Sequence, residues 1–207
     1  LDILLSTISS NEALTLDSGG IYNHGGIDVH QSTLYENSSP RSGGALFNVG
    51  HVHFTNSTIS NNHAESGSAF YSGGEMSLIH STIADNTAEQ GAAVFQSGGE
   101  LTFKNTIVAN NTMSGGYIFN CQIQAFAYTT LGENLSDDEF CPDFTIQADA
   151  HLQPLTDNGG LTLTHEIGWI SPARDAAGDC TDLDDNPLDE DQRGIARPQN
   201  DICDIGA

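Results

Sequence analysis

Positive charge is what this chain lacks most. Lys and Arg together number 5 against 28 Asp and Glu, a formal net charge of −23 over 207 residues. Lys104 is the sole lysine. Phosphate contacts need clustered cations, so nucleic-acid binding and docking on anionic membranes are excluded. Long apolar runs are missing as well. None approaches the ~18 residues of a spanning helix, and no direct membrane insertion is expected. No C-x-x-C occurs, which argues against a zinc ribbon or a thioredoxin motif. Charged residues make up 16% of the chain, against roughly 25% in an average globular domain. The apolar share of 37% suits a thin, elongated β architecture better than a compact α/β enzyme. The opening Leu1-Asp2-Ile3-Leu4-Leu5 has neither initiator Met nor signal peptide and runs straight into a repeat, as a processed or excised segment would.

What the chain has is glycine, 22 residues of it, and a repeat. Thr, then Ile or Leu, then two residues and Asn, recurs at Thr7-Ile8, Thr33-Leu34, Thr58-Ile59, Thr82-Ile83, Thr106-Ile107 and Thr130-Leu131. The threonines stand 26, 25, 24, 24 and 24 residues apart. Eleven residues before the last five of them lies an aromatic row, Tyr22, Phe47, Tyr71, Phe95 and Phe119. One residue further back lies an apolar row, Ile21, Leu46, Phe70, Val94 and Ile118. Apolar residues then alternate with polar ones at Ile27/Val29, Val52/Phe54, Met76/Leu78, Leu101/Phe103 and Ile123/Ala125, the period of a strand with one buried face.

A period in the low twenties leaves few architectures. Leucine-rich repeats need several leucines per unit, propeller blades need roughly 40 residues, and helical repeats need apolar spacings of three and four. The spacing predicts an all-β, right-handed parallel β-helix of about 24 residues per turn, rising about 4.8 Å per turn. It covers residues 1–140, and residues 141–207 form a disulfide-stapled strand-and-loop cap. Stacked turns set like side chains over one another. Asn11, Asn37, Asn62, Asn86, Asn110 and Asn134 are expected as an inward-facing ladder at a corner that requires left-handed backbone.

The units Gly-Gly-x-Ile-Tyr-Asn and Asn-Ser-Thr-Ile-Ser-x-Asn resemble right-handed β-helix repeats of bacterial surface and secreted proteins, including polymorphic outer-membrane proteins. The stretches Leu155-Thr156-Asp157-Asn158-Gly159-Gly160, Ser171-Pro172-Ala173-Arg174-Asp175-Ala176, Asp191-Gln192-Arg193-Gly194-Ile195-Ala196-Arg197-Pro198 and Cys203-Asp204-Ile205-Gly206-Ala207 resemble the choice-of-anchor Q domain family. That resemblance implies a bacterial extracellular or cell-surface location and a tail that closes the coil. It implies no common chemistry. Members usually continue past Gly-Ala to an anchor, which leaves this chain's anchoring route open.

Four cysteines allow three pairings, of which the local one, Cys121–Cys141 with Cys180–Cys203, is expected. Disulfides place a protein in an oxidising compartment. The aromatic row has two readings, a platform for sugar rings or a stack that stabilises the coil. His51 and His53 share a strand face and, with His30 one turn below, suggest a metal. Asp182, Asp184 and Asn186 have the one-three-five spacing of a calcium loop, but Pro187 and Arg193 replace the Gly and Glu of an EF-hand. Ca2+ is thus the one cofactor in view.

A lyase would need Arg41 and Lys104 to converge, which their different register positions oppose. A hydrolase would need paired carboxylates, and Asp28, Glu36, Glu65, Glu75, Asp85, Glu89 and Glu100 offer pairs such as Glu65 with Glu89. The tail arginines Arg174, Arg193 and Arg197 are expected to pair with Asp175, Asp191 or Asp204. The leading expectation is a non-catalytic structural or adhesive module, stacking head to tail with itself or continuing a longer parent chain. The alternatives are a carbohydrate-active enzyme and a calcium-dependent module that binds a polysaccharide.

Overall fold

A computed structural model describes residues 1–124 and 127–207, so the expected strand position of Ala125 lies outside the described residues. The fold is a parallel β-solenoid of about five turns, near 25 residues each, with no helix among the described residues. One sheet carries the longest strands: Asp2–Leu4, Gly26–His30, His51–Thr55, Glu75–Ile79, Glu100–Lys104 and Ala127–Leu131. A threonine face follows with Thr7–Ser9, Thr33–Tyr35, Thr58–Ser60, Thr82–Ala84, Ile107–Ala109, Leu135–Ser136 and Ile146–Gln147. An aromatic face is built of Ile21–Asn23, Leu46–Asn48, Phe70–Ser72, Val94–Gln96 and Cys121–Ile123.

The alternation seen in the sequence fills the bore. Val29, Phe54, Leu78 and Phe103 stack in one column, and Leu34, Ile59, Ile83 and Val108 in another, all fully buried. Each such side chain contributes roughly 1.5–3 kcal/mol of burial. Leu46, Phe70 and Val94 line the third wall, which turns the aromatic row outward.

Two corners hold left-handed residues in columns. Leu5, Gln31, Asn56, His80 and Asn105 turn the chain from the long strands to the threonine face, and Ser10, Glu36, Asn61, Asp85 and Asn110 turn it out again. Side chains tie these corners together. Asn11, Asn37, Asn62, Asn86, Asn111 and Asn120 form a ladder in which each Nδ2 donates to the next Oδ1 at 2.9–3.0 Å. The same Oδ1 accepts the preceding rung's backbone N–H, so the buried amides are satisfied.

The ladder corrects the expected one. Asn110 is the left-handed corner residue, and its N–H goes to Asp137. Asn134 belongs to a second column, Ser32, Ser57, Ser81 and Thr106, where it accepts the N–H of Thr106. The cause is register. Met76 pairs with Leu101 whereas Ser72 pairs with Gln96, so the corner between them gains a residue and Ile107, not Thr106, follows Thr82. Thr130 sits on the long-strand sheet beside Phe103.

The tail does more than close the end. Cys141 and Phe144 join the core, with Phe144 set edge-on against Phe103 at 4.9 Å. The chain then turns back and runs as a strap along the outside of the threonine face. It touches Thr33 through Leu163, Thr58 through Gln192, and Thr82 through Ala207. A Cβ on Gly206 would lie 2.8 Å from Thr82 Oγ1 and 2.9 Å from Ile107 Cδ1, and its φ is +95°, so only glycine fits where the strap meets the sheet. With the strap in place, Thr58–Ser60, Thr82–Ala84 and Ile107–Ala109 are buried on both faces. Cys121 is bonded to Cys141 and Cys180 to Cys203.

Candidate functional site

The aromatic ladder is the most regular feature of the outer surface. Tyr22, Phe47, Tyr71 and Phe95 stack at centroid distances of 5.1, 5.2 and 4.8 Å with interplanar angles of 13°, 0° and 5°. Tyr22 is exposed and the other three are half-buried. Ring faces are turned toward one another and the edges toward solvent, which favours ring-on-ring stabilisation over stacking of a flat ligand along the row. Phe119 is not a rung. Val94 pairs with Cys121 and Phe95 with Gln122, because a hairpin of Thr112–Met113 and Tyr117–Ile118 takes up residues that a plain turn would have used. Phe119 instead packs edge-on against Phe140 at 4.8 Å.

The expected metal-binding residues come together in other ways. His53 lies beside Asp28 and Ser77, and His51 bonds Glu75 at 2.8 Å, whereas His30 lies beside Thr55. Asp182 Oδ1 accepts N–H bonds from Asp184 and Asn186 at 2.8 and 2.9 Å, and Asn186 turns its amide nitrogen, not its oxygen, to Oδ2 at 3.0 Å. Desolvation acts upward on this carboxyl. The bonds from Asn186 and Asp184 and the charge of Lys104 prevail and hold it below the usual range. The acidic run is therefore a closed turn. No group of three or more His, Cys, Asp or Glu suited to a metal ion occurs among the described residues.

The enzyme constellations are dispersed. Arg41 meets Asp17 at 3.7 Å on the surface, while Lys104 is buried under the strap. Its Nζ donates to Thr181 Oγ1 at 2.7 Å and the Asp182 carbonyl at 2.8 Å, and it pairs with Asp179 at 3.3 Å. Glu65 accepts from Gln90, and Glu89 faces His63. Ser60 Oγ lies 2.9 Å from His165 Nε2, whose Nδ1 meets the Gln153 carbonyl at 2.7 Å. That spacing suits a nucleophile and its base, but Ser60 is fully buried, so the pair anchors the strap.

Strap anchors are the functional residues that the sequence did not reveal. Gln192 Nε2 donates to Thr33 Oγ1 and Thr162 Oγ1, both at 2.9 Å. His80 sits between Asn105, 3.0 Å from Nε2, and Arg197, 2.7 Å from Nδ1. Burial, reinforced by the Arg197 charge, lowers its pKa to about 3. The outward row Thr33, Thr58 and Thr82 was the available signal: uncharged residues on so acidic a chain mark a covered face. No family model, curated protein or solved structure matches the chain.

Proposed function

We propose that the chain is a non-catalytic structural and adhesive module of an extracellular or cell-surface bacterial protein. The observation that carries this reading is the strap. It consumes the buried polar groups of the threonine face, and a disulfide pins it at Cys180–Cys203 while a second closes the last turn at Cys121–Cys141. Such cross-links suit an oxidising compartment. The tail motifs add support through their resemblance to the choice-of-anchor Q family.

Asp2–Leu4 and Thr7–Ser9 each pair with a strand on one side only, and Leu1, Leu4 and Leu5 are exposed beside them. An unpaired parallel edge invites a further rung. A second copy stacked head to tail would supply it, and a contact of this kind that does not close yields a fibre.

Mass-spectrometric disulfide mapping of native material, with light scattering and electron microscopy, tests the reading. Two intact bonds and rods longer than one 21.9 kDa chain are expected. Free thiols, or a lone monomer at native concentration, would overturn it.

A further inference from the structure

Three of the chain's four arginines line one cavity. It lies within the strap, holds about 160 Å³, and is walled by Arg174, Arg193 and Arg197 together with Thr164, His165 and Ile205 among others. At roughly 30 Å³ per water, that is space for about five waters. On a chain with 28 acidic residues and 5 basic ones, this concentration of guanidinium calls for a reason.

The expected ion pairs account for one of the three. Arg193 holds Asp191 through Nε at 3.0 Å and NH2 at 2.6 Å. Arg197 donates to His80 Nδ1 at 2.7 Å and to the Gly206 carbonyl at 2.6 Å, two uncharged partners. Arg174 lies over the Trp169 ring at 5.0 Å, and its guanidinium makes no hydrogen bond among the described residues. Neither Arg174 nor Arg197 forms an ion pair among the described residues, unlike Arg41, Lys104 and Arg193. Asp191 and Asp204 act on Arg197 only from beyond ion-pair distance, so part of the desolvation cost of these guanidiniums is left for an incoming anion to offset.

The surrounding acids define what that anion can be. Asp191 is engaged by Arg193. Asp204 accepts the Asp175 N–H at 2.6 Å, and Asp175 accepts the Asn200 amide at 2.9 Å. Glu166 adds a fourth carboxylate to the wall. So many acids disfavour a multiply charged ligand such as phosphate and leave room for one carboxylate, which a guanidinium fork can grip in bidentate fashion.

Trp169, the chain's single tryptophan, is 85% exposed beside this site. An indole left in water against an unpaired arginine offers an apolar plate next to a carboxylate grip. From these observations we infer that the strap cavity binds a sugar acid, its single carboxylate held by Arg174 and Arg197 and its ring against Trp169.

The sole tryptophan reports on the site directly. The folded, oxidised chain is titrated with sodium glucuronate, glucose, sodium acetate and sodium phosphate at constant ionic strength, following Trp169 fluorescence. A saturable change with glucuronate is expected, with Kd on the order of 1 mM. Acetate should bind more weakly, and glucose and phosphate should give no saturation. Arg174→Gln should weaken glucuronate about tenfold while far-ultraviolet circular dichroism and Tm stay unchanged. Arg197→Gln is a second arm, read only if calorimetry shows the strap still folded. Equal binding of glucose and glucuronate, equal binding of acetate and glucuronate, no saturation with any ligand, or an unchanged affinity in Arg174→Gln would each overturn the proposal.

Discussion

The coil and its strap solve the same problem by opposite means. In the coil, the buried amides of the asparagine ladder each meet a counterpart one turn away. Asn37, Asn62 and Asn86 repeat one pattern at steps of 25, 24 and 25 residues. In the strap, each contact is unique. Gln192 meets Ser32, Thr33 and Thr58, and Lys104 meets Thr181 and Asp182, across sequence gaps that share no period. A coil rung therefore relies on its neighbours, whereas the strap relies on a few particular anchors and a cross-link. The coil should fail cooperatively and the strap should detach locally.

The sharpest way to break that contrast is to remove one ladder amide. Asn86 Nδ2 donates to Asn111, Ile59 and Ala84, and its Oδ1 accepts from Asn62. Asn86→Ala leaves several of these buried groups unpaired, and water cannot reach them. A loss of about 4 kcal/mol is expected, spread over the rungs on both sides in hydrogen exchange. Gln192→Ala removes as many bonds from the strap, yet the strap can open and hydrate, so the loss should be about half as large and confined to residues 149–207. Equal, global losses from both would show that coil and strap are one cooperative unit.

The cross-link comes next. Cys180 and Cys203 close a loop of 23 residues, worth about 3 kcal/mol through the unfolded chain. Replacing both by Ser should lower the urea midpoint of the strap and leave exchange at Val52, Leu78 and Ile83 nearly unchanged.

The same contrast explains what could be read before any coordinates. Period, strand alternation and the existence of the row Tyr22, Phe47 and Tyr71 were legible because each turn restates them, whereas the direction in which that row faces was not. The register beyond Gln96 was not, since one added residue at a glycine corner moves Ile107 into the place expected of Thr106 without leaving a local mark. Nor was the path of the strap. Thr33 meeting Leu163 and Asn56 meeting Glu190 are pairings without a repeat behind them. The tail arginines looked like matched ion pairs by composition alone. Only geometry separates Arg193, which is paired, from Arg174 and Arg197, which are not.

Acid should act on the strap before the coil. Folded His80 takes its proton only near pH 3, against 6.5 for the free side chain. Between those values the unfolded state binds more protons, so stability falls as pH falls, by about 1.4 kcal/mol per unit. From pH 7 to 5 this amounts to about 2 kcal/mol. Protonating other groups changes stability too, so the comparison is with His80→Gln. The wild type should lose about 2 kcal/mol more than the variant over that range, measured by urea denaturation at each pH. Parallel losses would remove His80 as the acid-sensitive anchor.

The smallest effect tests whether the aromatic ladder behaves as a repeat. Tyr71 stacks on both Phe47 and Phe95, whereas Tyr22 stacks on Phe47 alone among the ladder rings, with the His24 ring 5.0 Å away on a tilt. Each ring pair contributes roughly 0.5–1.5 kcal/mol beyond burial. Tyr71→Ser removes two pairs and Tyr22→Ser one, so Tyr71→Ser should cost about 1 kcal/mol more. A double variant supplies the check. Tyr22 and Tyr71 do not touch each other but share Phe47, so the loss in the double variant should exceed the sum of the singles only if Phe47 needs one ring to stay ordered. Additive losses would mark each stack as an independent pair. A loss for Tyr22→Ser as large as that for Tyr71→Ser would mean that the ladder is held mainly by its packing on the sheet and not by ring-on-ring contact.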